Sequence, residues 1–364
     1  MKEPILDESS SCAHEPPFQE GLSQENLEGM EVLERLSGPK YPMIDAHVHV
    51  VNFTQNTPGF KNLLSYMDRA NIQKAAVFGL PLMKKWSETE REAPEYYLDD
   101  DTACYYYSFT DGIVAEEYKK LSSQEQERIY PLICGFNPTD RYALDHIKRM
   151  YQFYPGVFRG IGEIFLRHDD LTLLTDGEVS RMNNKALYPI LEFAVDYDLP
   201  VLIHNNISTT WIADYPKYLP ELEMMLTEFP RAKIVFCHCG ISRRVHAPFY
   251  KKMIRRLLAQ YPEFLIDYSW IIFDEIICPN GIPDPEWIDL TEQFSTRILL
   301  GSDVIGNFHK MGVINHRYTA FLDTLSEETR NNICIANAER LFGGTKNRVE
   351  TKQKKIYPSL YPEV

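Results

Sequence analysis

Short apolar runs alternate with longer amphipathic stretches along this chain, and the alternation repeats eight times. The apolar runs lie near residues 43–50, 74–79, 130–136, 158–165, 200–204, 233–238, 263–269 and 297–303. Their length and near-continuous apolar character predict strands buried on both faces. Most of the intervals carry apolar positions three and four apart, which predicts helices over 62–71, 140–154, 184–197, 219–229, 250–261, 284–294 and 315–325. The run Ser326-Glu-Glu-Thr reads as a cap opening a last helix that reaches Phe342. Strands and helices alternating at this spacing predict βα repeats around a parallel sheet, either an open doubly wound sheet or a closed barrel. One interval breaks the spacing. Between the second and third strands, Pro81 to Tyr130 carries Tyr96, Tyr97, Tyr105, Tyr106, Tyr107, Phe109 and the run Asp99-Asp100-Asp101. A helix is expected from Asp101 to Leu121. The aromatics either pack on the sheet or form a lid over a pocket. The three aspartates lack the alternating spacing of a calcium loop and read as a solvated helix start.

The ends of the strands carry the chemistry. In Tyr41-Pro-Met-Ile-Asp-Ala-His-Val-His-Val50, His47 and His49 stand two apart on a strand, where side chains point the same way about 7 Å apart. Two imidazoles so placed can converge on one metal ion at about 2.1 Å. Asp45, two positions earlier, is expected on the same face as a buried hydrogen-bond anchor. Three further runs stop at a metal-capable residue: Leu199-Pro-Val-Leu-Ile-His204, Ala232-Lys-Ile-Val-Phe-Cys-His238 and Arg297-Ile-Leu-Leu-Gly-Ser-Asp303. A fourth, Val157-Phe-Arg-Gly-Ile-Gly-Glu163, carries a carboxylate. In a barrel of parallel strands, the C-terminal strand ends form the active-site mouth. A closed barrel also brings the first and last strands side by side, and with them His47, His49 and Asp303, which decides against the open sheet. By strand period Cys237 and Cys239 point away from His238, toward covering helices, as small core residues.

The order His-x-His, Glu, His, His, Asp resembles the amidohydrolase superfamily of metal-dependent hydrolases, and most closely its smaller single-domain branch. The resemblance covers about residues 41 to 342. It implies a distorted (β/α)8 TIM barrel with a long insertion between strands 2 and 3. It also implies a divalent metal, zinc foremost, as one or two ions at the strand ends. His47, His49, His204 and Asp303 match the family's metal ligands and His238 its sixth-strand histidine, and Glu163 falls where some members carry a carboxylated lysine or a glutamate. Asp303 would also accept the proton of a metal-activated water. His238 is either a ligand of a second ion or a non-ligand that moves protons. The reaction expected is cleavage of an ester, lactone or amide bond in a small substrate. A non-oxidative decarboxylase on the same site is the nearest alternative, and a non-catalytic metal-binding scaffold the other.

Substrate-contacting residues are less defined. Arg243 and Arg244, just after His238, are either a carboxylate or phosphate clamp or surface charges at a helix start. Asn205 and Asn206 follow His204, Trp270 follows the seventh strand, and Arg167 and His168 follow Glu163; all are candidates for the pocket wall.

Composition narrows the partners. A formal charge of −14 in 364 residues argues against nucleic acid or an anionic membrane surface as the main partner. A small-molecule substrate is expected, with homo-oligomerisation open. Seven scattered cysteines suggest a reducing compartment, and cytoplasmic location is the expectation. Residues 1–40 are acidic, with one short helix expected over 24–36, and residues 343–364 read as a tail carrying Lys352, Lys354 and Lys355.

Overall fold

A computed structural model describes residues 40–85, 103–210, 215–245 and 249–344. The acidic leader with its expected helix, the tail from residue 345, and Tyr96, Tyr97 and Asp99–Asp101 of the insertion lie outside the described residues. The chain folds as a (β/α)8 barrel. Its main sheet is formed by β1 (Met43–His49), β2 (Ile72–Phe78), β5 (Ile129–Ile133), β6 (Gly160–Phe165), β7 (Pro200–His204), β8 (Lys233–Phe236), β9 (Phe264–Asp267), β10 (Ile298–Leu299) and β11 (Val304–Ile305). Every neighbouring pair in it is parallel. β10 and β11 are two halves of the eighth barrel strand. The first half pairs with β9 through Ile298 and Leu299, the second with β1 through Val304 and Ile305. Between them the Ala46 N–H donates to the Leu300 carbonyl at 2.8 Å and the Asp303 N–H to the His47 carbonyl at 2.8 Å. Asp303 itself takes a left-handed φ of 57°, and that break separates the two halves.

Two apolar layers surround the strands. Ile44, Ala76, Phe78, Leu132, Leu202, Val235, Leu265 and Leu299 fill the lumen, while Val77, Ile147, Ile190, Leu222, Ile254 and Leu290 belong to the shell between strands and helices. Helix α1 (Phe60–Arg69) shows the logic: Phe60, Leu63, Leu64 and Met67 fall on one face and are all buried. Each such side chain stabilises the fold by about 1.5–3 kcal/mol. The strand period is not uniform, however. Ala46 belongs to the lumen layer, yet so do the rings of His47 and His49, which both meet Phe78. A register shift between Asp45 and Val48 against β2 reconciles these. Asp45 therefore does not share the histidines' face, as simple alternation would have it. It is the anchor expected of it: its Oδ1 accepts the His47 N–H at 3.1 Å and the Ser302 N–H at 2.9 Å.

Gly162, at φ 130°, lies so close to β7 that a Cβ there would sit 2.6 Å from Leu202 Cβ. The small residues of β6 thus fit the strand against its neighbouring strand rather than under helices. The insertion also differs from expectation. Instead of one helix from Asp101, it forms an antiparallel hairpin of β3 (Leu82–Lys84) and β4 (Cys104–Tyr106), then helix α2 (Thr110–Lys119). Leu82 and Cys104 of that hairpin pack with Phe53, Phe165 and Leu171, at the end of the barrel where β6 finishes. Tyr105 is exposed, and the hydroxyl of Tyr106 meets that of Ser180 at 2.9 Å. No helix among the described residues is long and apolar enough to cross a membrane.

Candidate metal centre

The C-terminal strand ends bring His47, His49, Glu163, His204, His238 and Asp303 together. They fall into two triads: His47, His49 and Asp303 form one, and Glu163, His204 and His238 the other, each with its donor atoms within 4.8 Å of one another. Glu163 joins them. Its Oε2 lies 3.4 Å from His47 Nε2 and 3.2 Å from His49 Nε2, while its Oε1 lies 3.5 Å from both His204 Nδ1 and His238 Nε2. Asp303 Oδ1 is 3.4 Å from the Nε2 of both His47 and His49. His204 thus stands with Glu163 and His238, not in one group with His47, His49 and Asp303. Glu163 is 1% exposed and Asp303 11%, which makes Asp303 the carboxylate open toward the mouth.

The outward nitrogen of each histidine fixes its tautomer. His49 Nδ1 donates to the Gly79 carbonyl at 3.0 Å, and His238 Nδ1 to the Ile241 carbonyl at 2.8 Å. His47 Nδ1 donates to the carboxylate of Asp267 at 3.1 Å. His204 Nε2 donates to Asn206 Oδ1 at 3.1 Å, and that amide is oriented because its Nδ2 donates to Asp169 at 2.8 Å. A neutral imidazole has one N–H, so four lone pairs are left facing the two carboxylates. His204 Nδ1 and His238 Nε2 then meet at 3.1 Å as two acceptors. His47 Nε2 and Glu163 Oε1 are buried without a hydrogen-bond partner. An array of acceptors at this spacing is repulsive without a positive charge among them, and nitrogen and oxygen donors fit a divalent cation.

The electrostatics call for positive charge at the same place, either as a proton on His47 and His49 or as a cation in its stead. Burial opposes a charged imidazole at His47, yet the carboxylates of Asp303, Glu163 and Asp267 outweigh it and lift its pKa well above the usual range. Burial likewise opposes ionised Glu163, and the surrounding His47, His204 and His238 hold its pKa well below the carboxylate range. Burial, with His238 beside it, keeps His204 low despite the Glu163 carboxylate.

Sequence periodicity misplaced Cys237. β8 ends at Phe236, and His238 and Cys239 adopt left-handed φ values of 33° and 54°. The alternation therefore stops short of the histidine. Cys237 joins the lumen layer, with His47 and Glu163 within 4.8 Å of its sulfur, instead of facing the helices. Cys239 does belong to the outer layer.

Other candidates separate clearly. Trp270 lies over the centre, 5.0 Å from the His238 ring at 72°, and the Arg243 guanidinium sits 5.7 Å from the Trp270 ring. Asn205 is turned away: its Nδ2 donates to the Asn206 carbonyl and its Oδ1 accepts the Arg167 N–H. Asn206 is the asparagine beside the centre. Arg244 is not a free clamp, since Asp169 and Asp170 bind it, and Arg167 is held by Glu221. His168 is buried and stacks on His204 at 4.4 Å. Two supporting residues escaped the sequence reading. Asp169 orients Asn206. Asp267 holds the His47 ring through one oxygen and the His238 backbone N–H through the other, at 2.7 Å. Asp267 carried a usable signal, being a polar residue at the end of a buried strand like the others.

Comparison with known proteins agrees with the fold. The family described as Amidohydrolase matches residues 44–344. An uncharacterised TIM-barrel protein from Bordetella bronchiseptica is 14% identical, with a TM-score of 0.54 over 84% of this chain and 99% of that one. An amidohydrolase from Burkholderia multivorans, solved with bound zinc, is 13% identical, with a TM-score of 0.51 over 83% of this chain and 99% of that one. No curated protein matches the sequence. At such identities the two structures speak for the fold, while the family match spans most of the chain. This chain belongs to the amidohydrolase family.

Proposed function

We propose that the chain is a metal-dependent hydrolase that cleaves an ester, lactone or amide bond in a small substrate, anionic where Arg243 can meet it. The observation that carries the reading is the set of four imidazoles whose outward nitrogens each meet an acceptor, so that in their neutral forms all four inward nitrogens can ligate. His47, His49 and Asp303 would hold one divalent ion, and His204 and His238 a second, with Glu163 reaching both. Zinc suits these donors, and the similar fold from Burkholderia multivorans was solved with it. A divalent ion here would polarise a substrate carbonyl and make water acidic enough to react near neutral pH.

The chain's own residues complete the site. Asp303, the more open carboxylate, accepts the proton that water gives up. His238 acts as a ligand: its Nδ1 is committed to the Ile241 carbonyl and its Nε2 faces Glu163. Trp270 walls the mouth and limits water, with Arg243 above it positioned for an anionic group. The complete donor set speaks against a non-catalytic scaffold. Elemental analysis, followed by a panel of esters, lactones, amides and aromatic carboxylates with carbon dioxide release measured in parallel, tests the reading. Hydrolysis lost on chelation and restored by zinc is expected. Carbon dioxide release without hydrolysis, or full activity in metal-free protein, would overturn it.

A further inference from the structure

We infer a second binding site, at the opposite end of the barrel, that takes a small monovalent anion of the halide class on Arg159 and Tyr151. Arg159 immediately precedes β6, at the end of the strand away from the metal centre, and its backbone N–H donates to the Pro131 carbonyl at 2.7 Å. Its side chain is buried, with the residue 3% exposed. Nη2 makes one long hydrogen bond, 3.4 Å to the Tyr118 hydroxyl. Nε and Nη1 have no partner, and neither has the buried hydroxyl of Tyr151, on the helix Ala143–Phe153. Tyr151 packs on Phe158, the residue before Arg159, with ring centroids 6.3 Å apart, and the guanidinium and this phenol interact electrostatically, as do Tyr118 and Tyr130. Among the described residues no carboxylate forms an ion pair with Arg159. Glu339, which accepts from Tyr130, is paired with Lys74.

Three facts select the ligand. A guanidinium does not lose its proton, so burial cannot be relieved by neutralisation, and buried charges are otherwise paired. The unpartnered groups can all donate: two guanidinium nitrogens, Nε and Nη1, and a phenol O–H. A water molecule accepting from the guanidinium could donate to the Tyr151 oxygen, but it would bring no charge. A halide accepts from all three and supplies the missing negative charge. So few donors suit a compact monovalent ion better than a phosphate or sulfate, which would need more of them.

The test uses the full chain, exchanged into gluconate at constant ionic strength and titrated with chloride. Above the dissociation constant, the unfolding temperature should rise by about 2 °C for each tenfold increase in chloride. Arg159→Met should abolish that slope, and Tyr151→Phe should move it to higher chloride. Crystals grown in bromide should show an anomalous peak beside the Arg159 guanidinium. An equal slope in Arg159→Met, or an ordered water with no bromide there, overturns the site. Should Arg159→Met fail to fold, Tyr151→Phe and the bromide map decide. None of these readouts depends on metal or turnover, so this inference stands or falls apart from the proposed function.

Discussion

Replacing Asp267 by Asn is the sharpest perturbation of the metal centre, because it changes a hydrogen-bond sign while keeping shape. Asp267 Oδ2 accepts from His47 Nδ1 at 3.1 Å, and Oδ1 accepts from the backbone N–H groups of His238 and Ser269 and from the Ser269 hydroxyl. An asparagine can keep its oxygen on the Oδ1 side, where three donors demand it. Its NH2 must then face His47 Nδ1, donor against donor. The imidazole can respond only by moving its proton to Nε2, the nitrogen that faces Glu163 and Asp303. The loss is a hydrogen bond to a charged group, about 1.5–3 kcal/mol. That converts to roughly 10–100-fold in metal affinity, the range typical of partners that orient a ligating histidine. The assay is competition for zinc against a chromophoric chelator, with thermal unfolding of the metal-free protein as the control for folding. Ser269→Ala removes one of the Oδ1 donors and only a long 3.4 Å contact of its hydroxyl with His47 Nδ1, and should lower zinc affinity far less than Asp267→Asn does. If Asp267→Asn binds zinc as the unaltered protein does, the tautomer argument fails for His47, and with it the reason for assigning the other three.

Three further outcomes are expected. His238→Ala should lower the metal-to-protein ratio by about half, since His238 stands with Glu163 and His204 and not with the other triad; an unchanged ratio by elemental analysis would leave room for one ion only. Gly301→Ala would place a Cβ 2.6 Å from His47 Cβ and 3.0 Å from its nitrogen, forcing the eighth strand off the first; a loss of about 1–3 kcal/mol of stability in denaturant unfolding is expected, with weaker zinc binding. Asp284 caps the helix Pro285–Gln293 by accepting from Glu286 and Trp287 and pairs with Lys251, so Asp284→Ala should cost about 1 kcal/mol near neutral pH. Burial raises the pKa of Asp284, but Lys251 and the two backbone N–H groups outweigh it and leave it low. The cap's contribution is therefore present above the unfolded carboxylate value and fades as pH falls through the lower folded one. A difference from the unaltered protein that persists undiminished in strongly acidic denaturant titrations would contradict that sign.

The barrel and the six converging donors were legible in the sequence because each follows from a local rule: apolar runs long enough for buried strands, and a polar residue where each run stops. The places where that reading misled are the places where backbone regularity ends. Simple alternation puts Asp45 on the histidines' face because it runs through a register shift that only the pairing with β2 reveals. It puts Cys237 outside the barrel because it runs past Phe236, into a turn with two left-handed residues. The insertion was read as a helix from Asp101 because the apolar spacing of α2 was extended backwards over Cys104–Tyr106, which pair instead with Leu82–Lys84. Asp267 was overlooked for a different reason: its role is to hold His47 and the His238 backbone, and no spacing in the sequence records a contact across 220 positions. The same point bears on the two triads. Which histidines pair with which carboxylate is set by how Glu163 lies between neighbouring strands, and its two oxygens face different histidines. Sequence order places the six donors on one rim, but the division of that rim follows from side-chain orientation, which the outward hydrogen bonds to Gly79, Ile241, Asp267 and Asn206 impose. Two of those four acceptors, Asp267 and Asn206, act through side chains, so substituting them tests the proposed metal stoichiometry without removing a single proposed ligand.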